Sequence, residues 1–266
     1  MDTDLPALAS NTAFASQTAP VPTSIMPGGA SIHHCTQSIV SCDPAWEAAY
    51  ERFETPEQEI KKFIDRLTEL GLARFPHESR VVEICCGRGN GLVAFDRLGF
   101  SNIEGVDLSE PLLRKYTGKA VRLYVADCRE LPFADQSKDL VVVQGGLHHL
   151  PELPIDVQRT ANEVKRVLRP NGCFAIVEPY PTRSLAMIHK VSEISLVQRL
   201  VPKIGALASM IDLERETYEH WLSVAPSIRE QMKADFVPVL DRVTWTKWHF
   251  VGRVPSMSTS LRVQAG

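Results

Sequence analysis

The chain has 266 residues, of which 44% are hydrophobic and 23% charged, enough to build the core of one sizeable α/β domain. Its net charge is −3 and no block of lysine or arginine stands out, so an extended nucleic-acid-binding surface is not predicted. No apolar run approaches about twenty residues and the N-terminus lacks a basic n-region, so neither a transmembrane helix nor a secretory signal is predicted.

Residues 1–41 are predicted to form a disordered or loosely packed arm. They are rich in Ala, Ser, Thr and Pro and show neither a helical nor a strand period. His33, His34, Cys35 and Cys42 match no structural zinc spacing, so no metal site is predicted. Four of the six cysteines fall at predicted strand ends, where they serve as small apolar residues. This usage is typical of a reducing compartment and predicts a cytoplasmic protein.

Two helices are predicted within residues 43–72, where a single domain spanning 42–254 begins. Asp43-Pro44 is typical of an N-cap followed by proline at the first helical position. The second helix starts at Pro56, and its apolar residues recur at spacings of three and four until Gly71 ends it.

A buried strand then runs into a glycine-rich turn and a helix. Val81, Val82 and Ile84 are the β-branched residues of an interior parallel strand, and the glycines of the turn 87–91 leave room for a ligand against bare backbone. Glu83 places a carboxylate before these glycines, where a pyrophosphate-binding loop has no use for negative charge. The ligand group expected beside it is therefore cationic.

Further polar residues stand where successive predicted strands end. Asp107 ends the second strand, at a position from which a carboxylate can take both hydroxyls of a ribose. Asp127 follows the third strand and Gln144 the fourth, which is almost entirely β-branched. Because the carboxyl ends of parallel strands meet at one edge of a sheet, Glu83, Asp107, Asp127 and Gln144 are predicted to converge on one crevice.

The remaining elements complete an α/β pattern. An amphipathic helix over 154–168 leads to a fifth strand that ends at Glu178. Residues 182–235 are predicted to be helical, with separate helices around 185–200, 204–222 and 226–233. Two alternating segments, Phe236–Val243 and Thr246–Val251, predict a closing antiparallel hairpin, and residues 255–266 a tail.

Together these motifs resemble the class I S-adenosylmethionine-dependent methyltransferases, in particular the small-molecule, methyltransferase-11-like type. The resemblance covers roughly Val81 to Glu178, with Cys85 standing where the family usually has its first loop glycine. It implies a Rossmann-like sheet of seven strands, parallel with an antiparallel last strand, helices on both faces and a helical insertion between strands five and six. The insertion, residues 182–235, is expected to recognise the substrate.

The resemblance also implies S-adenosyl-L-methionine as cofactor and S-adenosyl-L-homocysteine as product. Asp107 is expected on the ribose diol, and Glu83 with the glycine-loop backbone on the methionine end. Asp127 is expected on the adenine amino group, the alternative being that it is an exposed aspartate of a turn. The predicted cofactor-binding residues are Glu83, Cys85, Gly87, Gly89, Asp107, Leu108, Asp127, Cys128 and Gln144.

His148 and His149 follow the fourth strand and are candidate general bases, the alternative being that one of them caps or packs against the loop. Substrate contacts are predicted from the residues of the insertion and its approach that combine an apolar body with a hydrogen-bonding tip, although core packing is an open alternative for each. These residues are Tyr180, His189, Tyr218 and Trp221.

The predicted function is transfer of a methyl group to an O, N or C nucleophile of a small-molecule acceptor, a metabolite or natural product. Two alternatives stay open: a cofactor-binding protein without catalysis, and an NAD(P)-dependent oxidoreductase. No Asn/Asp-Pro-Pro or Pro-Cys motif follows the fourth strand, which argues against methylation of nucleic-acid bases. No nucleic-acid or membrane partner is expected, and the acceptor and the oligomeric state are left open.

Overall fold

The computed structural model describes residues 23–39 and 44–255. Within them, nine strands form one sheet in the order β1-β2-β5-β4-β3-β6-β7-β9-β8. The strands are β1 (Thr23–Ile25), β2 (Ser31–His34), β3 (Arg80–Ile84), β4 (Asn102–Asp107), β5 (Arg122–Val125), β6 (Lys138–Gln144), β7 (Leu168–Pro179), β8 (Val237–Val243) and β9 (Lys247–Arg253).

The helices of the described residues lie between these strands. They are α1 (Pro44–Phe53), α2 (Pro56–Glu69), α3 (Asn90–Arg97), α4 (Glu110–Leu113), α5 (Ile155–Val167), α6 (Arg183–Ser192), α7 (Ser195–Leu200) and α8 (Pro202–Asp235). Two short 3₁₀ helices cover Leu72–Arg74 and Leu147–His149. None of the helices in this part of the chain is long and apolar enough to cross a membrane.

Neighbouring strands from β5 to β7 pair in parallel, whereas β9 pairs antiparallel with both β7 and β8. The alternation of side chains along each strand supplies two cores, one on each face of the sheet. Val81 belongs to the core beneath α2 and α3, and Val82 to the core beneath α5 and α8. The predicted α/β class, with helices on both faces and a closing hairpin, is confirmed.

The sheet has nine strands where seven were predicted, because part of the N-terminal segment joins it. β2 pairs in parallel with β5, β1 pairs antiparallel with β2, and Ile32 is fully buried. The prediction of a loosely packed arm is therefore wrong for residues 23–39. Strands of three and four residues are too short to show a period in the sequence. The rest of the predicted arm, residues 1–22 and 40–41, lies outside the described residues, as does the predicted tail after Pro255.

The helical insertion lies between β7 and β8, as predicted, but its last part is one helix rather than two. Pro226 lies inside α8, a position where proline removes a backbone donor and where the sequence predicts an interruption. Ala225 and Ile228 on either side of it are fully buried against the sheet. Tertiary packing therefore holds the helix continuous through the proline.

Candidate functional site

The candidate site lies at the carboxyl ends of the central strands. β3 has β4 on one side and β6 on the other, so the connections leaving β3 and β6 run in opposite directions and open a crevice between them. Glu83 stands near the end of β3, Asp107 ends β4 and Gln144 ends β6. The structure thus brings these three predicted residues to one edge of the sheet.

Glu83 is a buried carboxylate with an unused acceptor atom. Its Oε1 accepts a hydrogen bond from Nε2 of Gln144 at 3.3 Å, whereas Oε2 has no partner among the described residues. Oε1 of Gln144 is likewise buried and unpaired. Burial raises the pKa of Glu83 to about 8, against the opposing effect of the Gln144 hydrogen bond and with a small addition from the charges of Glu59 and Asp107.

The glycine turn brings helix α3 up against this carboxylate. A Cβ atom on Gly91 would overlap the carboxyl group of Glu83, so only glycine fits in this first turn of the helix. Two unpaired acceptors, Glu83 Oε2 and Gln144 Oε1, thus lie beside a bare stretch of backbone. A ligand with a cationic, multiply donating group, such as an α-ammonium, matches these acceptors in charge and in hydrogen bonding.

Asp107 ties the glycine turn to the second strand. Its Oδ2 accepts a hydrogen bond from the Gly87 amide and its Oδ1 one from the Ser109 amide, both at 2.8 Å. Burial raises the pKa of Asp107, and these backbone hydrogen bonds oppose the rise. Each oxygen has further lone-pair capacity, as a carboxylate that receives a diol requires.

The next residue, Leu108, is held from outside by the N-terminal segment. The Leu108 carbonyl accepts hydrogen bonds from the Ser38 hydroxyl at 3.3 Å and from the Ile39 amide at 3.1 Å. The segment that sequence analysis assigned to a loose arm therefore borders the predicted cofactor site.

Cys85 stands at the start of the turn, where the family usually has glycine, and its side chain is accommodated because Gly146 has none. It adopts a left-handed backbone with φ of +53°, a conformation that favours glycine. A Cβ on Gly146 would overlap the Cys85 side chain, so the space that Cys85 fills is left open by Gly146. The neighbouring Cys128 sulfur and burial raise the pKa of the Cys85 thiol well above its ordinary value.

Asp127 lies just after β5 but is already engaged. Its carboxylate accepts hydrogen bonds from the Arg129 amide at 2.8 Å and from Nη2 of the same residue at 2.6 Å, while Nη1 of Arg129 binds Asp156 at 2.8 Å. Burial tends to raise the pKa of Asp127, but the hydrogen bonds and charge of Arg129 outweigh burial and lower it. An adenine amino group would share this carboxylate with Arg129.

His148 is oriented by a buried acid that sequence analysis did not place in the site. Nδ1 of His148 lies 2.8 Å from Oε2 of Glu178, which is fully buried near the end of β7. The other oxygen of Glu178 accepts hydrogen bonds from the Gly146 and Leu147 amides, both at 2.8 Å. Nε2 is thus the His148 nitrogen that Glu178 does not engage. The strand-end rule that identified Glu83 and Asp107 also points to Glu178, near the end of the fifth strand predicted from the sequence.

His149 faces a different element from His148. Its Nδ1 lies 3.5 Å from Oε1 of Glu214 on α8, and its ring contacts the edge of Trp46 on α1 with centroids 6.4 Å apart. Donor atoms of His148, His149 and Glu214 all lie within 4.8 Å of one another. Helices α1 and α8 therefore flank the two histidines, of which His148 is buried and His149 is exposed.

The predicted substrate residues separate into two groups. Tyr218 lies edge-on to His148 with ring centroids 6.0 Å apart, and its hydroxyl is 3.5 Å from Nε2 of His189. Tyr218 and His189 line a cavity of about 240 Å³ between α6, α7 and α8. Trp221, by contrast, is fully buried and donates its Nε1 hydrogen to the Pro179 carbonyl at 2.8 Å, so it packs in the core. Tyr180 is half-buried, and Arg229 lies 5.8 Å from the centre of its ring.

A larger cavity of about 440 Å³ lies away from this site. It is lined by residues at the amino ends of the strands, among them Arg80, Glu104, Arg122 and Lys138. Glu104 binds both Arg122, at 2.8 Å, and Lys138. The charges at this end of the sheet are thus largely neutralised by one another, and the crevice at the carboxyl ends is the better candidate site.

Comparison with known proteins gives a consistent result. Residues 82–176 match the family model described as "Methyltransferase domain". The chain is 28% identical over 165 residues to a demethylmenaquinone methyltransferase of Lactobacillus johnsonii, covering 58% of this chain and 66% of that protein. It is 29% identical over 150 residues to a Mycobacterium ulcerans protein described as phthiotriol/phenolphthiotriol dimycocerosates methyltransferase 2, covering 54% and 55% of the two chains. The matched part thus spans between about half and two thirds of these relatives.

Solved structures share the fold at lower identity. A Pyrococcus horikoshii protein superposes with a TM-score of 0.53 at 19% identity, covering 81% of this chain and all of that one. A Methanococcus maripaludis structure assigned to the S-adenosylmethionine-dependent methyltransferases gives a TM-score of 0.54 at 13% identity, covering 84% and 99% of the two chains. At these identities the likeness establishes the fold alone.

Proposed function

Since the chain carries a methyltransferase domain and belongs to the class I S-adenosylmethionine-dependent methyltransferases, we propose that it transfers a methyl group from S-adenosylmethionine to a proton-bearing nucleophile of a small-molecule acceptor. The observation that carries this proposal is the pair of unpaired buried acceptors, Glu83 Oε2 and Gln144 Oε1, beside a glycine that leaves no room for a Cβ. A nicotinamide dinucleotide presents anionic phosphates at such a turn, and phosphates supply neither a positive charge nor donors for the unpaired acceptors of Glu83 and Gln144.

The residues present fit the three parts of the cofactor. Glu83 and Gln144 suit the ammonium of the methionine end, and Asp107 suits the ribose diol. Asp127 and the Cys128 backbone remain the candidates for adenine, with Arg129 sharing the Asp127 carboxylate. When bound, the cofactor supplies an electrophilic methyl group on a sulfonium that leaves as a neutral thioether, so the leaving group needs no acid.

On the acceptor side, the chain supplies orientation and a base. Transfer forms one bond from the acceptor nucleophile to the methyl carbon and breaks the bond from that carbon to sulfur, and the nucleophile's proton must leave. We assign that proton to Nε2 of His148, because Glu178 holds the ring through Nδ1. Glu178 is a positioning residue in this scheme. Correct orientation of the two reacting groups can itself supply on the order of 7–11 kcal/mol.

The acceptor pocket is proposed between the two histidines and the insertion. Tyr218 contacts His148 and lines the cavity with His189, so a small molecule there has its nucleophile near the base. Relatives named for demethylmenaquinone and for phthiotriol/phenolphthiotriol dimycocerosates support an acceptor other than a nucleic acid. Whether O, N or C is methylated follows from the acceptor.

The test is calorimetric titration of the purified protein with S-adenosylmethionine, S-adenosylhomocysteine and NAD in parallel. We expect micromolar binding of the first two and none of NAD. Asp107→Ala should weaken that binding about 10- to 100-fold, since hydrogen bonds to a charged group contribute about 1.5–3 kcal/mol each. Asp107→Asn retains one acceptor atom and should lose less. Binding of NAD alone, or unchanged affinity in a folded Asp107→Ala variant, would overturn the assignment.

A further inference from the structure

We propose that helices α6 and α7 form a docking surface for an anionic lipid membrane. The surface, called here the α6–α7 surface, comprises residues 182–204, that is α6, α7 and the first three residues of α8. It goes beyond the proposed function, and the docking does not depend on methyl transfer. No membrane partner was expected from the sequence, because residues 182–204 were predicted to be part of a folded helical insertion. The structure shows that many of their apolar side chains are exposed.

The first observation is an unusual amount of exposed apolar surface. Helix α7 has no buried residue, and its Leu196 and Leu200 are 63% and 72% exposed. These two leucines are four residues apart, so they lie on the same side of the helix. On α6, Met187 is 68% exposed. Further exposed apolar side chains of the same surface are Ile188, Val191, Ile194 and Val201.

The second observation is the charge that accompanies these side chains. Four basic residues lie between positions 182 and 204 and only one acid, Glu193, so the surface carries a net charge of +3 in a chain whose net charge is −3. The four are Arg183, Lys190, Arg199 and Lys203. All four are exposed, and within residues 23–39 and 44–255 none of them forms an ion pair. Lys203 does lie 6.0 Å from the centre of the Phe53 ring.

The exposed apolar side chains and the positive charge together favour an anionic membrane over a second copy of the chain as the partner of this surface. A second copy of the chain docking by the same face would set +3 against +3, because a two-fold dimer pairs identical surfaces. An anionic bilayer offers both an apolar layer for the leucines and negative charge for the basic side chains. Helices that lie in a membrane interface combine these same two kinds of residue.

The position of the surface relative to the site supports the same conclusion. The cavity lined by His189, Gln198 and Tyr218 has walls formed by α6, α7 and α8, so both helices of the surface border it. Tyr218 joins this cavity to His148. A membrane under α6 and α7 would therefore lie on the side of the molecule where the acceptor is proposed to bind.

The experiment is co-sedimentation of the full chain with vesicles of phosphatidylcholine alone and of phosphatidylcholine with phosphatidylglycerol. We expect binding to the mixed vesicles that falls as salt is raised, and at least about tenfold weaker binding to the neutral ones. The variant Leu196→Ser/Leu200→Ser should lose at least about tenfold in affinity for the mixed vesicles, because two exposed leucines can no longer enter the apolar layer. Since α7 has no buried residue, this variant should keep its fold and its cofactor affinity.

The matched control is Val237→Ser/Val239→Ser, which removes two exposed apolar side chains of β8 and should bind vesicles as the unmodified chain does. Equal binding by the Leu196→Ser/Leu200→Ser variant, or no binding of the unmodified chain to anionic vesicles, would overturn the proposal. Light scattering of the protein without vesicles tests the other occupant. A dimer that the leucine variant converts to a monomer would assign the surface to self-association instead.

Discussion

The carboxyl group of Glu83 lies so close to Gly91 that the helix can begin there only because residue 91 has no side chain. The strand end and the helix start are therefore pressed together around a buried, half-paired acid. Such an arrangement costs stability in the free protein, and function explains why it is kept: the unpaired oxygen is available to a cationic ligand.

Cofactor binding is expected to release a proton from Glu83. The pKa of this group is raised to about 8 in the free protein, so at pH 7 most molecules carry it protonated, whereas an ammonium beside it favours the carboxylate. Calorimetry at pH 7 in buffers of different ionisation enthalpy should therefore report release approaching about one proton per molecule bound. Glu83→Gln should bind more weakly and release none. An identical proton count in that variant would assign the proton to another group.

Glu83→Gln should also change how stability depends on pH. The folded-state pKa of about 8 lies above the ordinary value of 4.5, so between these values the folded protein holds a proton that the unfolded chain has lost. The free energy of unfolding of the ligand-free protein therefore falls as pH rises from about 4.5 to about 8, and Glu83→Gln should remove that fall. At pH 8 the variant should be more stable by on the order of 4 kcal/mol, since each unit of pKa difference corresponds to about 1.4 kcal/mol.

Urea denaturation at pH 5.5, 7 and 8.5 measures this difference, with Glu78→Gln as the matched control because Glu78 is an exposed acid just before the same strand. A pH-independent difference between Glu83→Gln and the unmodified chain would contradict burial of the charge as the cause.

His148→Ala is expected to lower kcat by about 10²- to 10⁴-fold, the range for loss of a general base, while leaving cofactor affinity unchanged. Glu178→Gln should lower kcat less and alter the pH profile of kcat/KM, since it keeps one acceptor atom for the amides or the imidazole but not all of them. The measurement is steady-state kinetics on an accepted substrate across pH, with the exposed His220→Ala as control.

His148, His149 and Glu214 have donor atoms within 4.8 Å of one another, so the alternative that they bind a metal ion must be tested. Treatment with a metal chelator in the same kinetic experiment makes that test. Activity that survives extensive dialysis against the chelator supports His148 as a base. Activity that is lost and then restored by a divalent cation would contradict the base assignment and make the three residues ligands.

Removal of residues 1–39 is expected to weaken cofactor binding and lower the melting temperature. The truncation removes Ile32, fully buried beside β5, and frees the Leu108 carbonyl from Ser38 and Ile39. Burial of one isoleucine alone contributes about 1.5–3 kcal/mol. Removal of residues 1–22 is the comparison, since it leaves β1 and β2 in place. Equal affinity and melting temperature for both truncations would contradict a role for this segment.

Much of the crevice was predictable because its residues stand at strand ends that the sequence marks clearly. Glu83 and Asp107 follow β-branched or apolar runs and precede turns, and parallel strands place such ends together. Gln144 is found by the same reasoning. Their convergence needs no knowledge of side-chain packing, and the structure brings all three together.

The remaining features depend on contacts between segments far apart in the sequence. The strand-end rule points to the position of Glu178, but its role depends on the Gly146 and Leu147 amides that donate to it and on His148 beside it. Ile32 belongs to the sheet only because β5 has a free edge beside it. Trp221 has the same composition of apolar ring and polar tip as Tyr218, and only burial separates a core residue from one lining a cavity.

The fit between Cys85 and Gly146 carries an implication for variation at these two positions. The side chain of Cys85 occupies the space that a side chain at position 146 would need, so only one of the two positions can carry a side chain. Cys85→Gly would relieve the left-handed backbone and open room at position 146, so that Gly146→Ala becomes tolerable only in its presence. A variant that carries glycine at position 85 is then free to carry a larger residue at position 146, and redesign of the crevice wall should alter both together.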